Sequence, residues 1–189
     1  MKLKLSTVLL ALLVLLPATA RAEGRALFLQ KVYMSFCLKH FDDYAALRAD
    51  LIDQRLPKLP PQQAAHFLQG QEGDAWPVPY EGQFGQFVLA LPAGDNRCAV
   101  MARRADPAKT EGWFRVLAQT APEPLVVQPV SDRSVRTPLS GQARQQSWTW
   151  SAAGAEQRLE LTLTTAAAVD ASIQVVASLA VLGAEQQEP

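Results

Sequence analysis

The residues with the greatest potential for chemistry in this chain are a cysteine and a histidine three positions apart. Cys37 and His40 form a Cys-x-x-His pattern, which Asp42 and Asp43 follow. These residue types can bind zinc, but zinc needs three or four ligands at defined spacing, and this segment has one thiol and one imidazole. The pattern therefore predicts no metal ligand, and Asp42 is expected to cap the start of a helix.

The common catalytic motifs do not occur in the sequence. It has no Gly-x-Ser-x-Gly turn, no His-Glu-x-x-His, no Walker loop, no Gly-x-Gly-x-x-Gly and no EF-hand loop. We therefore predict no catalytic residue, no cofactor-binding residue and no cofactor. Distant carboxylates can still assemble a glycoside-cleaving site without a local motif, so an envelope or cell-wall hydrolase remains an alternative.

Two groups of aromatic residues could contact a ligand. Trp76 and Tyr80 lie in the segment 70–83, which has three Gly and two Pro and is expected to be a loop. Function often lies in such loops, so these two side chains are a possible surface contact. Trp148 and Trp150 alternate with small polar residues and are expected either in the core or on a stacking platform, with the core favoured.

The first 22 residues have the features of a secretory signal peptide. Lys2 and Lys4 precede an apolar run of about a dozen residues, and an Ala-Arg-Ala sequence ends at Ala22. The run is shorter than the roughly 20 residues of a membrane-spanning helix. A lipid anchor would need a cysteine at the cleavage site, and the first is Cys37. We expect cleavage after Ala22 and a periplasmic chain 23–189 without a membrane anchor.

The charge balance excludes two classes of partner. The leader contains three basic residues and no acidic one, so the mature chain has 15 basic and 18 acidic side chains and a net charge of about −3. A surface without a cluster of basic residues has no positively charged patch to bind nucleic acid or anionic lipid. The expected partner is an unidentified envelope protein or a small ligand.

The two cysteines are expected to form a disulfide. An even pair in an oxidising compartment is most simply a disulfide, and Cys37 and Cys98 lie on the inward faces of a predicted helix and a predicted strand. Closing a loop of this length stabilises a fold by on the order of 4 kcal/mol in the chain-entropy estimate. A free nucleophilic or metal-binding thiol is the alternative.

Hydrophobic periodicity predicts a helical part over 23–69. Apolar residues three and four positions apart indicate a first helix over 26–41, a second over 43–56 that Pro57 ends, and a short third helix that begins at Pro60-Pro61. A fourth helix is predicted over about 107–119, with Asp106 as its N-cap and an apolar face of Trp113, Val116 and Leu117.

Alternating hydrophobicity predicts a sheet over 84–182. A hairpin is expected over 84–104, and further strands over about 125–135, 143–151, 156–165 and 172–182, with Trp148 opposite Leu159. One face is apolar and the other polar. The fold class is therefore α+β: N-terminal helices packed on one face of a mainly antiparallel sheet of about five to six strands, in a single domain over 23–189. Residues 183–189 are expected to be a frayed tail.

Several features occur in a recognisable order. Four features follow one another: an early cysteine in Phe36-Cys37, an acidic helix around Phe41-Asp42-Asp43, the stretch 67–76 and a strand that ends at 98–100. Over roughly residues 26–102 this order resembles a family of uncharacterised exported or lipid-anchored proteins of Gram-negative bacteria. The resemblance implies periplasmic export and no established activity. This chain differs in lacking a lipid-anchor cysteine.

Taken together, these features favour an exported protein without catalysis, a binding or protein-interaction module. The hydrolase remains the second hypothesis. A cleft with two carboxyl groups within about 5 to 10 Å of each other would favour the hydrolase, and an apolar patch without titratable groups would favour the binding module.

Overall fold

The computed structural model describes residues 16–94 and 96–183. Most of the predicted leader, the end of the predicted tail, and Asp95 in the predicted hairpin turn lie outside the described residues. Within the described part of the chain, no helix is both long enough and apolar enough to cross a membrane.

The N-terminal part is helical, as predicted. Helix α1 (Leu16–Val32) includes the predicted cleavage position and continues into a π-helix (Tyr33–Leu38), and α2 (Tyr44–Asp53) follows after a short turn. The N-cap of α2 is Asp43 and not the predicted Asp42, because the Asp43 carboxylate accepts the backbone N–H of Ala46 at 2.8 Å.

Two shorter helices flank the first strands. Helix α3 (Pro61–Phe67) begins at a proline, and α4 (Pro107–Gln119) has Asp106 as its N-cap, which accepts the N–H of Lys109 at 3.0 Å. Both helices were expected. The buried face of α4 differs from the prediction, since Val116 is 67% exposed and the row that meets the sheet is Thr110, Phe114 and Ala118.

Seven antiparallel strands form one sheet. They are β1 (Gly73–Tyr80), β2 (Gln83–Pro92), β3 (Arg97–Ala102), β4 (Val126–Thr137), β5 (Gly141–Ser151), β6 (Arg158–Thr165) and β7 (Val175–Leu182). Their spatial order is β1-β2-β3-β7-β6-β5-β4, so β7 lies between β3 and β6. The α+β class is confirmed, with seven strands where five to six were expected. The additional strand is β1, which replaces the loop predicted over 70–83.

One face of the sheet, here called the helical face, packs against α1, the π-helix, α2 and α4 and forms the main core. Trp148 and Trp150 lie in this core, 7% and 3% exposed, and the Nε1 of Trp150 donates to the carbonyl of Ala118 at 2.7 Å. Trp148 pairs with Leu161 and Trp150 with Leu159. The register differs from the prediction by two residues, which leaves every side chain on its expected face.

The predicted disulfide is present. Cys37 in the π-helix and Cys98 in β3 are both fully buried, and their Cα atoms are 5.3 Å apart. The bond joins the helical layer to the third strand of the sheet.

The opposite face, here called the α3 face, has two different halves. Along β5 and β6 it carries small polar residues such as Ser147, Thr149 and Thr162, as predicted. Along β1 to β3 it is apolar, and α3 covers it. The expectation that the helices pack on one face only was wrong in this half, because β2 and β3 are buried on both faces: Val88, Ala90, Ala99 and Met101 pack on this side, together with Ala75 of β1.

Candidate functional site

Helix α3 forms one wall of a cleft on the α3 face. Two prolines, Pro60 and Pro61, begin the helix, and the N–H of Leu59 donates to the carbonyl of Ala75 in β1 at 2.8 Å, which fixes its approach to the sheet. Ala64 and Leu68 are buried in the small core of this face, and the helix packs on β1 and β2. The positions on its far side remain exposed and face solvent or the cleft.

The cleft, here called the α3 cleft, has a volume of about 600 Å³. Its opposite wall is the turn before β7, where Ile173 is buried and its N–H donates to the carbonyl of Leu139 at 3.0 Å. Most of the lining is apolar: Leu59, Phe67, Pro77, Phe84, Val88, Met101 and Ile173. The volume lies within the range of small-molecule sites.

The lining of the cleft also includes five polar residues. They are Gln63, His66, Gln86, Arg103 and Ser172. None of the lining residues is Asp or Glu. The cleft therefore combines apolar walls with hydrogen-bonding groups and carries positive charge without a matching carboxylate.

Arg103 is held in place by its backbone and its Nε. Its N–H donates to the carbonyl of Gln86 at 2.9 Å, and its Nε donates to the carbonyl of Ser172 at 3.0 Å. No ion pair joins its guanidinium to a carboxylate among the described residues. The remaining guanidinium N–H groups are thus available to an anion.

Gln86 contributes a second unsatisfied group. Its Oε1 is buried and has no hydrogen-bond partner among the described residues. A buried polar atom without a partner costs free energy that a ligand can recover. Because a side-chain amide can flip, Gln86 can present either its oxygen or its NH₂ to a ligand.

A second depression, here called the β1 groove, lies on the helical face beside edge strand β1. Its volume is about 320 Å³, and its lining is almost entirely apolar. Leu51 and Leu56 line it from α2 and the segment that follows. Pro77 and Phe84 line both the β1 groove and the α3 cleft, so the two depressions are neighbours around the edge of the sheet.

The predicted surface contacts, Trp76 and Tyr80, lie at this edge. Trp76 is 3% exposed and lines the β1 groove, with its Nε1 buried and unpaired within the described residues. Tyr80 is half-buried and packs against Phe28 and Phe87, with ring centroids 5.0 and 5.5 Å apart. Burial raises the pKa of its hydroxyl. Trp76 is therefore part of a groove wall, and Tyr80 is part of an aromatic cluster.

The Cys-x-x-His segment does not form a reactive site. Cys37 is oxidised in the disulfide, the carbonyl of His40 accepts the N–H of Asp43 in a turn, and Asp43 caps α2. Within residues 16–94 and 96–183, no group of three or more His, Cys, Asp or Glu residues could hold a metal ion.

One pair of carboxylates converges on the helical face, outside both depressions. Glu111 and Asp132 both bind the guanidinium of Arg144, at 3.2 and 2.6 Å. The hydrogen bond from Arg144 lowers the pKa of Asp132, and the same bond raises the pKa of Arg144. A glycosidase needs one carboxyl with a raised pKa as its general acid. The pKa of Asp132 is shifted in the opposite direction, which does not suit that role.

Comparison with known protein families finds no family that matches the chain, and comparison with curated proteins finds no match either.

The α3 cleft was not predicted from the sequence. Its polar residues come from four separate segments, and none of them belongs to a local motif. One available signal was the uninterrupted apolar run of β2 and β3, which indicates burial on both faces and so a second layer over the sheet.

Proposed function

We propose that this chain is an exported, non-catalytic binding protein whose ligand site is the α3 cleft. The observation that carries the proposal is the combination of a cleft of about 600 Å³, predominantly apolar walls, and two adjacent polar side chains: Arg103, which has no carboxylate partner among the described residues, and Gln86, whose Oε1 is buried without a partner there. Ligand sites typically combine a concave apolar surface with a few polar groups that fix orientation.

The composition of the cleft supports binding over hydrolysis. The described residues that line it include His66 and Arg103 but no carboxylate, so a histidine there has no acidic residue to orient it, and two carboxyls cannot flank a substrate. Glu111 and Asp132, which meet on the helical face, are both bound by Arg144.

Export to the periplasm is part of the same proposal. It is supported by the signal-peptide features of the first 22 residues, by the buried Cys37–Cys98 disulfide, which suits an oxidising compartment, and by the resemblance to exported proteins of Gram-negative bacteria. Fractionation of cells that express the full chain tests this part, since a periplasmic protein without residues 1–22 is expected.

A neutral fluorescent probe tests the binding site. Mature protein is titrated with N-phenyl-1-naphthylamine, and saturable enhancement of its fluorescence is expected. Gln63→Trp places a bulky ring at an exposed α3 position that lines the cleft, and it should weaken probe binding several-fold. Gln62→Trp adds the same ring at the adjacent exposed position outside the cleft lining and should leave binding unchanged.

Two outcomes would contradict the proposal. Absence of saturable binding by the unmodified protein would remove the cleft as a site for apolar ligands. Equal binding by the two tryptophan variants would place the probe elsewhere on the molecule. Far-ultraviolet circular dichroism of both variants checks that they fold alike.

A further inference from the structure

Arg103 and Pro77 line the α3 cleft from two strands on either side of β2. Arg103 directly follows β3, and Pro77 lies in β1, with β2 between these strands. Neighbouring strands are about 4.8 Å apart, so roughly 10 Å separates β3 from β1. The floor between them is apolar, formed by Val88 and Met101.

The apolar surface does not stop at the edge of the sheet. Pro77 and the 57%-exposed Phe84 line the α3 cleft and also the β1 groove, and the groove continues past Trp76 to Leu51 and Leu56 of the helical layer. The result is an apolar track that begins beside Arg103 and runs around edge strand β1. A flexible chain fits such a track better than a compact ring system does.

The charge at the beginning of the track has a defined sign. Arg103 lines the cleft with its Nε bound to a carbonyl, no ion pair to a carboxylate of the described residues, and no Asp or Glu among the lining residues. Gln86 lies beside it with an unpaired amide oxygen. Planar guanidinium groups bind carboxylate and phosphate oxygens through two N–H groups at once.

We propose that the ligand of the α3 cleft is a single-chain amphiphile with an anionic head group, a carboxylate or a phosphate. The head group binds Arg103 and Gln86, and the hydrocarbon chain runs over Val88 and Met101 to Pro77 at the edge strand. This inference rests on the proposed function, to which it adds the chemical class of the ligand.

Amphiphiles that share one chain and differ in head group test the inference. Isothermal titration of mature protein, below the micellar concentration, compares decanoate and decyl phosphate with decyl glucoside and decyltrimethylammonium. The two anions should bind about tenfold or more tightly than the neutral and cationic amphiphiles, since a charge-assisted hydrogen bond contributes more than a neutral one. The comparison of the two anions shows which head group is preferred.

Matched variants assign the preference to one residue. Arg103→Gln should abolish the advantage of the anions and leave binding of decyl glucoside within about twofold, whereas Arg103→Lys should restore part of the advantage. Arg104→Gln removes the same charge from the next position, which does not line the cleft, and should behave as the unmodified protein. Added salt should weaken decanoate binding in the unmodified protein and not in Arg103→Gln.

The outcomes separate the two proposals. Equal binding of all four amphiphiles, or an anion preference that survives Arg103→Gln, overturns the head-group inference and leaves the binding function standing. If none of the four amphiphiles binds and the neutral probe also fails to bind, the proposed function is overturned as well.

Discussion

At the scale of single residues, the core contains a tryptophan with two separate roles. Trp150 fills space against α4 as an apolar ring, and its Nε1 also satisfies the carbonyl of Ala118 near the end of that helix. The last carbonyls of a helix lack partners within the helix. The side chain therefore links a strand to a helix end by packing and by a hydrogen bond.

Replacing Trp150 with phenylalanine should separate the effect of its hydrogen bond from the effect of its ring size. Trp150→Phe removes the donor and leaves a buried carbonyl unpaired, a loss of about 1 to 3 kcal/mol in addition to the cost of the smaller ring. Trp148→Phe is the control, because Trp148 lies in the same core and has no hydrogen bond from its side chain to the described residues. Urea denaturation measures both, and equal losses would show that the hydrogen bond adds nothing.

At the scale of secondary-structure elements, the edge strand β1 shows how the sheet avoids pairing with other chains. The carbonyl of Ala75 points outward, where it accepts the N–H of Leu59. Backbone groups of alternate strand residues point to the same side, so the outward position that follows is Pro77. A proline there has no N–H to offer a new strand.

Restoring an outward donor in β1 should therefore promote self-association. Pro77→Thr returns a backbone N–H to the open edge, and we expect a concentration-dependent increase in sedimentation coefficient. Val78→Thr introduces the same side chain at the next position, where the backbone faces β2, and should leave the chain in its original association state. Association of both variants to the same extent would contradict the edge argument.

The prolines also explain why β1 was not predicted. Pro77 and Pro79 within a short segment indicate a loop unless the segment is an edge strand. Gly82 was a usable signal in the sequence, because glycine favours a two-residue hairpin turn. In the structure Glu81 and Gly82 form that turn, with positive φ of 50° and 74°. Edge position depends on the whole sheet, and it could not be obtained from this segment alone.

Other elements were predictable because their signals are local. The N-cap Asp106 and the alternation of β5 and β6 each lie within a few residues, and the structure confirms both. The register of β5 against β6 was two residues off, because the connection from Ser151 to Arg158 is longer than the loop assumed. The α3 cleft depends on segments that only the complete fold brings together, which is why the sequence did not indicate it.

At the scale of the whole molecule, the disulfide is the covalent link between its two layers. Cys37 belongs to the helical layer and Cys98 to the sheet. We expect Cys37→Ala and Cys98→Ala each to lower the free energy of unfolding by about 2 to 5 kcal/mol, and the double variant to cost little more than either. Chemical denaturation without reductant measures the three variants.

Thiol titration supplies the complementary measurement. The unmodified protein, unfolded without reductant, should react with no thiol reagent, and each single variant should expose one reactive thiol. Two reactive thiols in the unmodified protein would show that the bond does not form, and additive losses in the double variant would show that each cysteine contributes separately.

The position of β7 has a consequence for how the chain is made. Strands β1 to β3 and strands β4 to β6 are each joined in sequence, and only β7 connects the two groups. A ribosome or a secretion pore releases a polypeptide from its N-terminus, so the strand that occupies the middle of the sheet emerges after all the others. Until then Cys98, Val100 and Leu161 lack the neighbours that bury them in the finished sheet. The native sheet therefore cannot close before β7 has emerged, and the strands made earlier keep open edges until then.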